Sequence, residues 1–399
     1  MKKNIQLTED KVLKVYQNEN PSIHFVEKSN EKLKNRSDSM SNLIFHNLKF
    51  PKKMFKNTNI LDIGAGTGDT SIIFNHWGAN CTLVDMNYKA IKRAKMIFKK
   101  IALKKTKNKF IKSSIFNLKL KKKFDIVTSI GVVHHTEDPT YALERISKYV
   151  KKEGYLIIGC ASPEGFFQRN LQRYIITCFA NLNDEESIEK IARHLFKKHL
   201  LRANKYGKRT IKAIVADTYI NPKIHCLNPI KINKALKKEF IFYSSAPSIN
   251  SYFNPDSPLT YKSDYFINMK NLTLLNCLTW MHNAGQYNNL LKNDNKNLRD
   301  LNSLTDKLSN IFNNFNPETK INKKKINKIL LKKINLCKNN LIQTDILSEH
   351  KKFLLEVKLL FKNLEKKDIN KTKVFLDKCK ILFKKSSGLG NNYYIYQKK

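Results

Sequence analysis

The residues with the clearest chemical meaning lie in one stretch, Asn59-Ile60-Leu61-Asp62-Ile63-Gly64-Ala65-Gly66-Thr67-Gly68-Asp69. An apolar run enters a turn with glycine at alternate positions. Glycine lets a backbone turn tightly and lets a ligand lie against it without meeting a Cβ. In the dinucleotide fingerprint G-x-G-x-x-G the third glycine falls one residue later than Gly68 does here. Acids flank the turn at Asp62 and Asp69, and another closes the run Cys81-Thr82-Leu83-Val84-Asp85. A pyrophosphate brought to this turn would face carboxylates, whereas a cationic ligand would be attracted. An acid at the end of the second strand can also accept hydrogen bonds from both hydroxyls of a ribose. Further along, Ile130-Gly131-Val132-Val133-His134-His135 places two imidazoles after a second apolar run. Imidazole can take a proton from an attacking hydroxyl near neutral pH. The plainer alternative is that one His packs on the ligand or caps a helix starting at Thr136-Glu137-Asp138-Pro139.

These groups need rigid elements to hold them. Short apolar runs alternate with helical patterns over residues 57–163, which predicts βαβ units. Strands are expected at Asn59–Ile63, Cys81–Val84, Lys109–Ile111, Phe124–Ser129 and Tyr155–Cys160, with helices near Thr70–Trp77, Tyr88–Ile101 and Pro139–Val150. Runs this apolar suit a sheet covered on both faces. The expected fold class is α/β: a Rossmann-like, doubly wound, mostly parallel sheet with helical additions. Residues 1–56 read as a leading helical segment with an apolar rhythm at Met40, Leu43, Ile44, Leu48 and Phe50. Residues 164–287 read as substrate-side helices and a late strand at Phe240–Ser244. Residues 288–385, with no Gly and only Pro317, read as a Lys-rich helical insertion. Its apolar positions include Ile329, Leu330, Ile334, Leu341, Ile346, Phe353, Leu354, Val357 and Leu360. Residues 386–399 carry a β-prone run that can return to the sheet and pair antiparallel with Phe240–Ser244, making the helical region an insertion between two edge strands.

Taken together, residues 57–163 resemble the class I S-adenosylmethionine-dependent methyltransferases. Leu61–Gly68 resembles their glycine-rich first motif and Asp85 their ribose acid. Phe124–His135 is similar to their fourth strand and following loop, and Glu153–Ile158 to the turn into the fifth strand. S-adenosylmethionine carries an ammonium and a sulfonium and no phosphate, which agrees with the acidic turn. The resemblance implies a cofactor set of Asp62, Gly64, Ala65, Gly66, Gly68, Asp85, Met86, Ser114, Ile115 and Ile130, with His134 and His135 as catalytic candidates. No metal is implied. One departure is the absence of the family's frequent acid after the third strand: the stretch here is Ile111-Lys112-Ser113-Ser114-Ile115-Phe116. Ser114 can accept the adenine amino hydrogen bond, and Ile115 or Phe116 can pack on the ring. The loop lacks the Asn/Asp-Pro-Pro-aromatic run common to many enzymes acting on exocyclic or amide nitrogen. No cysteine stands where the cytosine C5 enzymes place their nucleophile. Two segments outside the resemblance read as pocket walls: Phe166–Tyr174, whose Arg169 or Arg173 can meet an anion, and the polar stretch Ala216–His225.

Composition bounds the rest. The net charge of +42 comes mostly from lysine, spread over every part of the chain. Base and phosphate readers favour the arginine fork, so a lysine-rich genome bias is the simpler account. An RNA partner stays open without being favoured; a small-molecule substrate is expected. The seven cysteines contain no C-x-x-C pair and read as free thiols in a reducing compartment. No apolar stretch reaches the roughly 18 residues a membrane span needs, and no secretory signal is visible, so the expected location is cytoplasmic. A non-catalytic cofactor binder that docks a partner is the remaining alternative.

Overall fold

The computed structural model describes residues 2–18, 23–207, 209–247, 300, 303–308, 310–311, 322–337, 345–384 and 390–399. Two helices lead, α1 (Lys2–Asn18) and α2 (Asn30–Ser41). Then follow β1 (Asn59–Ile63), α3 (Ser71–His76), β2 (Asn80–Asp85), α4 (Tyr88–Ile101), β3 (Lys109–Lys112), β4 (Phe124–Ile130), α5 (Pro139–Ser147) and β5 (Val150–Ala161). The chain continues through α6 (Pro163–Thr177), α7 (Glu185–Gly207), α8 (Ile211–Val215), α9 (Pro229–Leu236) and β6 (Phe240–Ala246). The last elements are α10 (Lys323–Leu336), α11 (Asp345–Leu364), α12 (Ile369–Lys378) and β7 (Asn391–Lys398).

The strands form one seven-stranded sheet in the order β3-β2-β1-β4-β5-β7-β6. The first five are parallel, with Leu61 level with Thr82 on one side and Val127 on the other. Strand order reverses beside β1, and the carboxyl ends of β1 and β4 open a crevice there, where doubly wound sheets bind ligands. The fold is the expected Rossmann-like one.

Sequence periodicity and structure differ in two places. The helix expected to reach Val150 stops at Ser147, and Val150 already pairs with Phe124. Strand β5 therefore starts early and absorbs a bulge at Glu153-Gly154. There Glu153 has φ 60°, and a Cβ on Gly154 would lie 2.8 Å from the Asp125 carbonyl. The tail strand does pair antiparallel with β6, but it is not an edge. It lies between β5 and β6, with Ile157 opposite Ile395 and Phe242 opposite Tyr396. A one-sided pairing would leave Tyr394, Ile395 and Tyr396 only half covered, whereas here they are 0–1 % exposed.

Both sheet faces are covered. Phe50, Phe55, Phe74, Trp77 and Phe98 pack on one face with Met40, Ile44 and Leu48 from the leading segment. Leu143, Ile146, Ile232 and Leu236 of α5 and α9 cover the other. The Lys-rich helices turn Ile326, Leu330, Ile334, Phe353, Leu354, Val357 and Leu360 inward onto Leu171, Ile175 and Leu195 of α6 and α7. They share one apolar cluster with the helices that follow β5. Leu341, the side chain of Ile346 and residues 248–299 and 385–389 lie outside the described residues. Among the described residues, no helix is long and apolar enough to cross a membrane.

Candidate functional site

A cavity of about 880 Å³ opens over the carboxyl ends of β1, β2 and β4. Its floor is the glycine turn, the end of β2 and the loop after β4. Gly64, Gly66, Asp85, Met86, Ser114, Ile115, Ile130, His134 and His135 of the expected set all line it. Asp62, Ala65 and Gly68 do not.

The acids divide by role. The Asp62 carboxylate is buried below the turn and accepts hydrogen bonds from the Ser71 and Thr128 hydroxyls, the latter at 2.7 Å. It stitches β1 to α3 and β4; burial raises its pKa against those hydrogen bonds. Asp62, expected among the ligand contacts, does not border the cavity, and Ser71 and Thr128 engage both its oxygens below the turn. Asp69 likewise accepts from the backbone N–H groups of His24 and Val26 at 3.1 and 3.3 Å and fixes the strap leading to α2. Of these three acids, Asp85 alone faces the cavity. One oxygen accepts from Gly66 N and the other from Asn87 N, both at 2.8 Å, which locks the carboxylate across the turn. Each carboxylate oxygen has a second lone pair, so two hydroxyls of a ligand can still be bound.

The glycines divide in the same way. A Cβ on Gly64 would lie 2.3 Å from Val132 Cγ2, so this glycine lets the β1 and β4 loops meet. Gly68 has φ +78°, and a Cβ there would sit 3.0 Å from Leu83 and 3.1 Å from Ala94. Its role is the packing of α4 on β2. Gly131, also at φ +78°, has nothing within 4 Å of an ideal Cβ, and it borders the cavity. Beyond β4, therefore, backbone lies bare towards open space of the kind an elongated ligand fills.

The two histidines differ in tautomer. The backbone N–H of Ala161 donates to His134 Nδ1 at 3.4 Å, which leaves the ring proton on Nε2. Burial, then the neighbouring His135, pushes the His134 pKa well down, so the ring is a neutral donor. His135 Nδ1 lies 2.9 Å from the Lys223 carbonyl and 3.1 Å from Asn221 Nδ2. Asn221 Oδ1 accepts from Lys223 N, which turns its amide nitrogen to this side. The shorter contact requires a proton on Nδ1, an assignment from heavy-atom geometry. Nε2 then carries a lone pair and lies 4.0 Å from Asp217 Oδ1, too far for a hydrogen bond. Burial holds the His135 pKa below the ordinary imidazole value although Asp217 opposes it. Against the upward push of burial, Arg209 and His135 hold Asp217 below the usual carboxylate range.

The leading helical segment supplies the roof, though the residues it brings there were not singled out from the sequence. Glu9, Val12 and Tyr16 of α1 and Lys32, Arg36 and Ser39 of α2 close the cavity from above. Tyr16 OH donates to Asp217 at 3.3 Å and accepts from Asn221 at 2.8 Å, while Asn87 Nδ2 donates to the Tyr16 carbonyl at 3.0 Å. Burial raises the Glu9 carboxyl pKa, and the nearby Ser114 hydroxyl opposes that rise. An acid therefore does stand beside the end of β3, supplied by α1. Arg36 reaches the Thr70 hydroxyl at the turn. Strand β7 adds Asn391 and Tyr393 to the wall. Of the earlier candidates, Ile115 borders the cavity, whereas Phe116 stacks on Tyr141 with ring centroids 5.5 Å apart. Arg169 borders it too, whereas Arg173 is committed to the Asn221 carbonyl at 2.8 Å. Among the described residues no cluster of His, Cys, Asp or Glu has the grouping of a metal site.

A family model described as "Methyltransferase domain" matches residues 54–194, the stretch that builds the floor. The chain carries a class I S-adenosylmethionine-dependent methyltransferase domain. The chain is 36 % identical over 106 residues to the ubiquinone biosynthesis O-methyltransferase of Pelagibacter ubique, covering 27 % of this chain and 43 % of that one. It is 32 % identical over 111 residues to the mitochondrial ubiquinone biosynthesis O-methyltransferase of Schizosaccharomyces pombe, covering 28 % and 40 %. The chain thus spans less than half the length of the curated relatives it matches. A solved structure, PKMT2 from Rickettsia typhi in complex with AdoHcy, superposes with a TM-score of 0.40 at 17 % identity, covering 64 % of this chain and 55 % of that one.

Proposed function

We propose that this methyltransferase moves the methyl group of S-adenosylmethionine to a hydroxyl oxygen of a small molecule, with His135 as general base. The observation that carries the reading is the His135 ring, locked at Nδ1 by the Lys223 carbonyl and offering Nε2 beside Asp217 in a roofed cavity. The matched relatives are named as O-methyltransferases, which supports the same acceptor atom.

The lining fits the donor. Asp85 has free lone pairs for the two ribose hydroxyls, Glu9 and Ser114 stand where an adenine amino group needs acceptors, and Ile115 offers an apolar face. Arg36, at the turn, is the cation for the methionyl carboxylate, and the bare backbone at Gly131 leaves space for the chain. The bound donor supplies an electrophilic methyl carbon on a sulfonium. This chain's residues do the rest. The acceptor hydroxyl hydrogen-bonds His135 Nε2, and its proton passes there as the oxygen gains a methyl group. Asp217, 4.0 Å away, stabilises the imidazolium. His134, a neutral donor, orients the acceptor. Alignment of nucleophile, methyl carbon and sulfur supplies much of the acceleration.

The RNA alternative calls for an open basic groove, whereas this cavity is closed above by α1 and α2 and holds Asp85 and Asp217 as well as arginines. The test is transfer of radiolabelled methyl from the donor to a panel of hydroxylated small molecules and to total RNA. Label on a small-molecule oxygen, lost in His135→Ala, is expected. Label on RNA alone would overturn the reading.

A further inference from the structure

The acceptor half of the cavity contains a cation for which the methyl-transfer chemistry has no use. Arg169 lies on α6, one turn after Phe166, and its guanidinium stacks on the Phe166 ring at 4.9 Å from the centroid. That ring is in turn 6.1 Å from His134. On its other side the guanidinium presses against the backbone ahead of β7, where a Cβ on Gly390 would lie 2.7 Å from Nη1. An aromatic plate and a glycine therefore fix its position. Among the described residues it makes no hydrogen bond and no ion pair, although it borders the cavity.

The other arginines at the cavity are already engaged. Arg209 pairs with Asp217 at 3.1 Å, and Arg36 reaches Thr70 at the glycine turn. Burial depresses the Arg169 pKa more than any other influence, with Arg209 adding to it and Asp217 opposing it. A half-buried guanidinium with no direct ion pair or hydrogen bond among the described residues gains more from an incoming anion than one in open water. A fork of parallel N–H donors matches a carboxylate in two hydrogen bonds. The arrangement becomes more favourable when a ligand brings the anion.

We infer that Arg169 is an anion-recognition site for the methyl acceptor, so that the acceptor carries a carboxylate at the end of the molecule away from the reacting hydroxyl. This rests on the methyltransferase reading above. The donor also has a carboxylate, and Arg36 beside the turn is assigned to it, so the two sources must be separated by experiment.

The test uses the full chain saturated with S-adenosylhomocysteine and a matched probe pair, benzoate and benzyl alcohol, titrated by calorimetry. The wild type is expected to bind benzoate at least about tenfold more tightly than the alcohol, the factor that about 1.4 kcal/mol of binding free energy represents. Arg169→Met should erase that preference while leaving S-adenosylhomocysteine affinity unchanged. Arg169→Lys, which keeps charge and stem, should retain part of it. No preference for benzoate in the wild type would overturn the proposal. So would an Arg169→Met protein that keeps the preference, or one in which S-adenosylhomocysteine affinity falls instead. A wild type that ignores S-adenosylhomocysteine would strike the methyltransferase reading itself, a distinct failure.

Discussion

Asp62 and Asp85 end neighbouring strands, yet the structure gives them opposite duties, and exchanging each for a neutral residue separates them. Asp85 has spare lone pairs towards the cavity after accepting from Gly66 and Asn87. Two ribose hydroxyls would make two charge-assisted bonds, each worth about 1.5 kcal/mol at the low end of the measured range. Their loss in Asp85→Ala is about 3 kcal/mol, or roughly 10²-fold in dissociation constant. Asp85→Asn, which keeps one acceptor oxygen and no charge, should fall between. Asp62 makes its bonds to Ser71 and Thr128, inside the protein. Asp62→Asn should therefore cost about 1 kcal/mol of folding stability and leave affinity within about threefold of wild type, less than 1 kcal/mol. Calorimetric titration with S-adenosylhomocysteine measures the affinities, and denaturant unfolding of the same samples the stabilities. An Asp85→Ala protein that binds within threefold of wild type, or an Asp62→Asn protein that binds less tightly than it, would refute the division.

Four further outcomes follow from the geometry. His135→Ala should lower the single-turnover transfer rate by roughly 10²–10⁴-fold, while His134→Gln, which removes a donor and not the base, should cost less. Because burial holds the His135 pKa below its ordinary value, the wild-type pH–rate profile should stay on its plateau below pH 6.5; an inflection above that value would exclude His135 as the base. Gly68→Ala should destabilise by about 2 kcal/mol, from its positive φ and the approach of Leu83 and Ala94. That is roughly 2–3 °C in a thermal melt of a chain this size. Burial also sets the acid limit of stability: it lowers the pKa of His199 to about 3, with Arg169 and Arg202 adding to it, and that of His134 well below 6.5. Below pH 6.5 the unfolded chain takes up protons at these sites and the folded one does not. The contribution is complete above pH 6.5 and is lost as the pH falls towards about 3, at up to about 1.4 kcal/mol per pH unit for each group. Unfolding midpoints flat between pH 7 and 5 would contradict this.

The floor of the site was legible because it is local. The alternating glycines, the acid at the end of β2 and the paired histidines lie on consecutive strand ends, and apolar runs announce the strands. What the sequence could not show is direction. An acid at a strand end looks the same whether it meets a ligand or, like Asp62, two buried hydroxyls. The individual contacts of the roof were illegible for another reason. Tyr16 meets Asp217 across 201 residues and Asn221 across 205, contacts that exist only once α1 folds back over the sheet. An acid was sought near Ser114 in sequence, whereas Glu9 stands there from α1.

The position of β7 has a consequence for biogenesis. Its residues, 391–398, fill the slot between β5 and β6, and β6 was made some 150 residues earlier. A ribosome therefore exports the parallel half of the sheet, with the open flank of β5 and an unmatched β6, well before the piece that joins them emerges. Premature termination anywhere in the lysine-rich helices would yield a product able to assemble the glycine turn yet exposing two raw hydrogen-bonding borders, the kind that invite self-association.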